Sequence, residues 1–166
     1  MKTNKGFLYA GVTWSILFAV MSFYWAMGGM LGVRSVGGAI YEMSLNPPPS
    51  FIAIVWITGF IKLLGAVWLL MLLMKWGNSR IQKLVYFITK IAGLFLFLYG
   101  LLNFITIFLS SIGVIDFELS KYATFWRLVF WEPFWMIGGI FYFFSIRKTT
   151  THPFRIQTNS KSKLNS

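Results

Sequence analysis

The chain has 166 residues, of which 57% are hydrophobic, 20% aromatic and only 11% charged. Soluble domains usually carry about 25% charged residues, so this composition indicates a protein whose solvent is lipid. Cysteine is absent, and the single histidine, His152, lies in a polar C-terminal stretch. Thiol–disulfide chemistry and a haem held by two histidines inside the membrane are therefore excluded. No group of His, Asp and Glu residues has metal-ligand spacing, and we expect neither a metal nor a cofactor.

Four apolar runs are long enough to cross a bilayer, since a hydrocarbon core of ~30 Å needs ~20 helical residues. They are residues 7–29, 51–74, 84–109 and 125–146. The first run follows two lysines, as a signal peptide would, but it is longer than a typical signal region and no small-residue cleavage site follows it. We expect it to remain as a helix. The predicted fold is all-α, an integral membrane four-helix bundle formed by residues 1–146.

The distribution of basic residues predicts the orientation of these helices. Lys and Arg residues precede the first run, separate the second from the third, and follow the fourth: Lys2, Lys5, Lys75, Arg80, Lys83, Arg147, Lys148, Arg155, Lys161 and Lys163. The other two connections contain only Arg34 and Lys121 as basic residues. The positive-inside rule then places both termini in the cytoplasm of the cell and makes the protein multi-pass in its plasma membrane.

The net charge of +11 is explained by this topology, and we expect no nucleic-acid partner. The tail, residues 147–166, is polar and basic, and its composition predicts a disordered cytoplasmic segment attracted to anionic lipid headgroups. The longest connection, residues 30–50, contains three consecutive prolines that interrupt any helix at that point. This connection is either a lid over the outer ends of the helices or a simple connector, and the connector is the favoured interpretation.

Four polar side chains, one from each predicted helix, are expected to meet in one layer of the membrane: Ser22, Lys62, Asn103 and Glu132. A rise of ~1.5 Å per residue places three of them roughly 10 Å below the predicted outer helix ends and Lys62 roughly 16 Å below. Helical side chains lean toward the helix N-terminus, so the Lys62 ammonium is expected to reach outward to the same layer. Because an unpaired charge is costly there, we predict a Lys62–Glu132 ion pair surrounded by Ser22 and Asn103.

Two more residues in the fourth predicted helix affect this layer. Arg127 lies five residues before Glu132, which is about 140° around an α-helix, so we expect Arg127 to face elsewhere and to extend toward the outer headgroups. Pro133 has no N–H, so the carbonyl of Val129 should lose its usual donor and the helix should kink beside the polar layer.

Small and hydroxyl residues recur at helical spacing on one face of each of the first three predicted helices. Such stripes let membrane helices approach closely and form hydrogen bonds. A plain four-helix interface therefore explains most of these residues without any ligand.

Two stretches resemble a known family. A Tyr-Trp-Ala-x-Gly-Gly sequence, Tyr24 to Gly29, ends the first helix, and a Trp-Glu-Pro sequence beginning at Trp131 lies in the fourth. Both resemble a family of small bacterial four-helix membrane proteins known only as a domain of unknown function, over roughly residues 7–146. In that family a histidine often stands where this chain has Ser22. A proton-handling role of that histidine would therefore not extend to this chain. The resemblance implies the fold, a bacterial origin and the importance of the Trp-Glu-Pro sequence, but no activity.

Three functions are compatible with the sequence. The first is a binding or transport protein whose small polar pocket near the outer face, around Glu132 and Lys62, takes a small ion or polar ligand. Its lining would be Asn103, Ser22, Tyr24, Trp25, Trp131 and Trp135. The second is a non-catalytic accessory or immunity-type protein that contacts a membrane partner through its helices. A membrane enzyme is disfavoured, because the predicted spans contain one carboxylate and no histidine. The lipid bilayer is a partner in every case, and homo-oligomerisation is left open.

Overall fold

The computed structural model describes residues 2–74, 76–116 and 119–147. The elements in chain order are β1 (Lys2–Thr3), α1 (Lys5–Ala26), α2 (Val33–Val36), α3 (Gly38–Leu45), α4 (Pro49–Met71), α5 (Ser79–Ser111), α6 (Lys121–Trp126), a π-helical turn (Arg127–Trp131), α7 (Glu132–Phe144) and β2 (Ile146–Arg147). The prediction of disorder for the tail concerns residues 148–166, which lie outside the described residues, and Arg147, which belongs to β2.

Three of the described helices, α1, α4 and α5, are long and apolar enough to cross a membrane. Each overlaps one of the first three predicted spans. The fourth predicted span overlaps a helix that begins at Lys121, passes through the π-helical turn without a break, and ends at Phe144. The all-α prediction is confirmed, apart from one two-stranded ladder at the chain ends.

Polar and proline residues determine where the long helices begin. The side chain of Asn78 accepts a hydrogen bond of 2.8 Å from the backbone N–H of Arg80 at the start of α5. Pro48 is extended, with φ −68° and ψ 152°, and Pro49 is the first residue of α4. A helix leaves its first N–H groups without internal acceptors, so proline costs little at this position.

The four long helical segments pack in the order α4, α1, α7, α5. The closest approach joins α5 to α7 through Gly93 and Gly139. A Cβ atom added at Gly139 would lie 2.5 Å from the backbone nitrogen of Phe97 and 2.6 Å from the carbonyl oxygen of Gly93. Glycine is therefore required on α7 because the two backbones are almost in contact, as is common between membrane helices.

Aromatic side chains fill the space between α1 and α7. Trp14 and Phe18 of α1 are 5% and 4% exposed, and they lie against Phe134 and Trp135 of α7. The Trp14 indole N–H also donates to the carbonyl oxygen of Phe134 at 2.9 Å. This hydrogen bond satisfies a polar group that would otherwise be buried in an apolar interface.

The two ends of the described chain are held together at the same end of the bundle. β1 and β2 form an antiparallel pair in which Lys2 lies opposite Arg147. The backbone N–H of Asn4 donates to the carbonyl of Ser145 at 2.7 Å, and the Thr3 hydroxyl donates to the carbonyl of Leu72, just after α4, at 3.2 Å. Sequence periodicity did not predict this ladder, because each strand has only two residues.

The connection between α1 and α4 covers part of the fourth helical segment. Its short helix α2 packs against α6 and the π-helical turn. Gly37, at the end of α2, has a φ of 66°, and a Cβ atom there would collide with the Cβ of Ala123. Helix α3, by contrast, has no buried residue. Within this connection α2 therefore packs against the fourth helical segment and α3 does not pack into the interior, and the choice between lid and connector stays a prediction.

Candidate functional site

Glu132 is buried and paired with Arg127. The Arg127 Nε and Nη2 atoms lie 2.8 and 2.7 Å from the same carboxylate oxygen, Oε1. The Glu132 side chain is 3% exposed and the Arg127 side chain 18%. The opposite charges of Arg127 and Glu132 therefore meet within a single helical segment. Glu132 is neutralised without Lys62 of α4.

The predicted Lys62–Glu132 ion pair does not form, and the prediction that Arg127 faces elsewhere was wrong. Both errors come from the π-helical turn between Arg127 and Trp131. The backbone N–H of Glu132 bonds to the carbonyl of Arg127, five residues back, where an α-helix bonds four residues back. This wider turn brings residues five apart onto one face, so the two side chains meet.

Pro133 occupies the second position of α7, directly after the π-helical turn. The N–H group that Pro133 lacks would lie where the spacing of the backbone hydrogen bonds changes from five residues to four. The predicted disturbance of the helix is therefore a widened turn, which is a common response to a broken hydrogen-bond ladder and recurs at functional sites.

Lys62 is half-buried and is held by α1. Its ammonium donates to the hydroxyl oxygen of Ser22 at 2.6 Å. It also lies 3.8 Å from the centre of the Phe18 ring and 5.9 Å from that of Trp135. Among the described residues, no carboxylate lies within salt-bridge distance of this ammonium. Lys62 therefore lies among a hydroxyl group and aromatic faces, which attract a cation but do not neutralise it.

Ser22 is suited to accept a hydrogen bond from Lys62. The Ser22 side chain is 1% exposed, and its own hydroxyl hydrogen is directed to the carbonyl of Phe18, one turn back, at 3.2 Å. The lone pairs of the hydroxyl oxygen then remain for the ammonium. A fixed hydroxyl acceptor of this kind orients the lysine but does not neutralise its charge.

Asn103 and Tyr24 are not brought to this cluster by any described polar contact. The Asn103 amide donates to the carbonyl of Tyr99 on its own helix at 2.8 Å. Tyr24 is 39% exposed. The predicted layer therefore separates into a Lys62–Ser22 contact, an Arg127–Glu132 pair, and two residues with no described polar contact to either.

The three predicted tryptophans have different environments. Trp131 is buried and donates to the Ser35 hydroxyl at 2.9 Å, which fastens α2 to the π-helical turn. Trp25 donates to the carbonyl of Leu31 at 2.8 Å, and its ring lies 5.5 Å from that of Trp131. Trp135 is half-buried, 4.7 Å from the ring of Phe18.

Two cavities lie at the connection between α1 and α4. A mainly apolar one of about 70 Å³ is bordered by Trp25 and the first turns of α4. A polar cleft of about 310 Å³ is lined by Arg34, Gly37, Gly38, Tyr41, Glu42 and Ser120. Neither Lys62 nor Glu132 lines either of them.

Sequence reasoning missed Arg127, Phe18 and Ser35 as parts of these contacts. A proline within an apolar helix, with a charged residue six positions before it, was an available signal for a widened turn next to Arg127. The contacts of Phe18 and Ser35 carried no such signal, because both depend on how the helices are placed relative to one another.

Comparison with protein families gives one result. The profile of the family described as "Protein of unknown function (DUF3995)" matches residues 15–142, which include Ser22, Lys62, Arg127 and Glu132. The chain belongs to the DUF3995 family. No significant match was found among curated proteins or among solved structures. The DUF3995 description carries no activity, so a function must be argued from the site.

Proposed function

We propose that this DUF3995 protein is a four-helix, multi-pass protein of a bacterial cell membrane with both termini in the cytoplasm. The helical segment from Lys121 to Phe144 supports a fourth span, because its 24 residues give roughly 36 Å, more than a hydrocarbon core requires. The antiparallel pairing of β1 with β2 supports an even number of spans, since it keeps both chain ends on one side. The surplus of basic residues at that end supports the cytoplasmic assignment.

We further propose that it is a binding or transport protein in which Lys62 holds an anionic group of the ligand. The observation that carries this proposal is the ammonium of Lys62, which has a hydroxyl and two aromatic rings around it but no described carboxylate. An uncompensated charge at membrane depth is costly, and such charges mark ligand pathways. Arg127 already neutralises Glu132, so Glu132 positions the fourth helix and Lys62 remains for the ligand.

The test is stabilisation of the purified full-length chain by anions. Chloride, acetate, inorganic phosphate and dodecyl phosphate are added separately, and the midpoint of thermal unfolding is measured in a neutral detergent. At least one anion should raise the midpoint for the wild type and for Lys62→Arg, which keeps the charge, but not for Lys62→Met. If every anion acts equally on the wild type and on Lys62→Met, Lys62 does not bind the ligand.

The accessory or immunity-type function is supported by a different observation, the closed Arg127–Glu132 pair. A pair that stabilises one helix needs no substrate, and helix α3 with its side chains unburied offers a contact surface at the outer side. This alternative predicts a stable complex with another membrane protein after gentle solubilisation. Recovery of that complex with Lys62→Met as efficiently as with the wild type, without any Lys62-dependent anion effect, would favour it over ligand binding.

A further inference from the structure

Among the residues that the structure describes, none supplies a counter-ion to Lys62. The chain has four acidic residues: Glu42, Asp116, Glu118 and Glu132. Only Glu132 lies within a predicted span, and its carboxylate is held by Arg127. A second copy of the chain would bring the same occupied Glu132. An anion from outside the protein can therefore balance Lys62 at this depth.

The ammonium of Lys62 lies nearer the outer end of the bundle than the backbone of Lys62 does. Lys62 itself is thirteen residues into α4, roughly 20 Å along the helix axis from its outer end. Its contacts with Ser22 and Phe18, however, place the ammonium at the level of residues four to eight positions from the end of α1, about 6–12 Å along the axis. Long basic side chains commonly extend toward the interface in this way. A lipid phosphate group that enters between the helices by this distance reaches the ammonium.

The neighbouring helices leave a lateral path to this position. α4 packs along α1, and α5 packs along α7, but no comparable packing joins α4 to α5. The indole N–H of Trp68 donates to the Thr89 hydroxyl at 3.0 Å and links the inner halves of these two helices. In the outer half, Trp135 lies between Phe18 on one side and Tyr99 of α5 on the other, with ring separations of 4.7 and 5.1 Å. The aromatic rings of Trp135 and Tyr99 thus border the space between α4 and α5 beside Lys62.

We infer that Lys62 binds the phosphate of an anionic phospholipid from the outer leaflet, with one acyl chain lying between α4 and α5. This inference rests on the proposed function and specifies the ligand as an acidic lipid. A cation near the interface favours an anionic headgroup. The exposed apolar side chains of α4 and α5 suit an acyl chain, and the half-buried state of Lys62 leaves its ammonium within reach of the bilayer.

The experiment uses the full-length chain in nanodiscs of phosphatidylcholine with a minor fraction of phosphatidylglycerol. Native mass spectrometry then measures how much of each lipid stays bound to the released protein. The wild type and Lys62→Arg should retain phosphatidylglycerol in preference to phosphatidylcholine. Lys62→Met should lower that preference about fivefold, the ratio that corresponds to one lysine acting on an anionic lipid. The matched control is Lys121→Met, which removes one exposed charge at the start of α6 and should lower the preference less than Lys62→Met does.

A second measurement needs no variant of Lys62. Because Trp135 lies 5.9 Å from the ammonium, phosphatidylglycerol with brominated chains should quench the tryptophan fluorescence of the wild type more than brominated phosphatidylcholine at the same fraction. Trp135→Phe should remove most of that difference. Equal quenching by the two lipids, or equal phosphatidylglycerol retention by the wild type and Lys62→Met, would overturn the lipid assignment. A Lys62-dependent stabilisation by inorganic phosphate together with either result would leave the proposed function standing with a soluble anion as the ligand.

Discussion

The Arg127–Glu132 pair allows a prediction in which the two partners differ in cost. Arg127→Met leaves the Glu132 carboxylate, only 3% exposed, without its donor. Glu132→Gln leaves a guanidinium that is 18% exposed, lies five residues nearer the start of the helical segment at Lys121, and can extend toward water. We therefore expect Arg127→Met to destabilise the fold more than Glu132→Gln.

The magnitudes follow from burial. Stranding one member of a buried pair typically costs about 3–5 kcal/mol, and we expect Arg127→Met to fall in this range. For Glu132→Gln we expect about 1–3 kcal/mol, because the amide oxygen still accepts one hydrogen bond and the arginine is partly solvated. The double variant has no net charge to strand and should cost no more than Arg127→Met alone. The coupling energy between the two positions is then at least the cost of Glu132→Gln alone, about 1–3 kcal/mol.

The free energy of unfolding is measured by titrating dodecyl sulfate into mixed micelles and following helical circular dichroism. Arg34→Met is the control, since it removes an exposed arginine whose described contact is the ring of Tyr122, 5.1 Å away, and should cost less than about 1 kcal/mol. If the effects of the two single variants simply add, within about 0.5 kcal/mol, the pair is not coupled and the reasoning is refuted.

Three other predictions test the packing and the topology. Gly139→Ala should push α7 away from α5 and destabilise the fold by about 1–3 kcal/mol in the same titration. Gly77 has open space around it, so Gly77→Ala should change the free energy of unfolding little. Equal effects of the two variants would contradict the close approach of α5 and α7. Trp131→Phe and Ser35→Ala each remove the hydrogen bond that fastens α2, and each should speed amide hydrogen exchange in α2. Unchanged exchange in both variants would show that this bond does not hold α2 in place. Because the chain has no cysteine, Glu42→Cys and Gly77→Cys can be labelled singly. A membrane-impermeant maleimide should modify the cysteine at position 42 in intact cells and the cysteine at position 77 only after permeabilisation. The reverse pattern would show that the proposed topology is inverted.

The number and approximate position of the helical segments were predictable from the sequence, because hydropathy is a sum over residue types along the chain. The starts of α4 and α5 were predicted less closely, at residues 51 and 84, whereas the helices begin at Pro49 and Ser79. Pro49 and the Asn78 cap act through their own backbone neighbours, outside the apolar runs that predict the spans. The contact of Lys62 with the level of Ser22 follows from the lean of helical side chains toward the N-terminus, which is a local property too.

The identity of the partner of Glu132 was not predictable in this way. Two carriers of positive charge were available, Lys62 on another helix and Arg127 on the same one, and the choice depends on the angular position of Arg127. In an α-helix that position is about 140° away from Glu132, but the π-helical turn removes the difference. A single hydrogen bond that spans five residues, where an α-helix spans four, therefore decides which charge is neutralised.

The sequence by itself determined that this is an apolar all-α chain with one carboxylate in its predicted spans, one lysine near the middle of a predicted span and a surplus of basic residues near its ends. Only the tertiary structure decided that Arg127 neutralises Glu132 and that Lys62 lies against Ser22 and Phe18 with no described carboxylate. The physical reason is that composition and spacing act along one helix, whereas the neutralisation of a buried charge depends on the register of each turn and on the separation of helices distant in sequence.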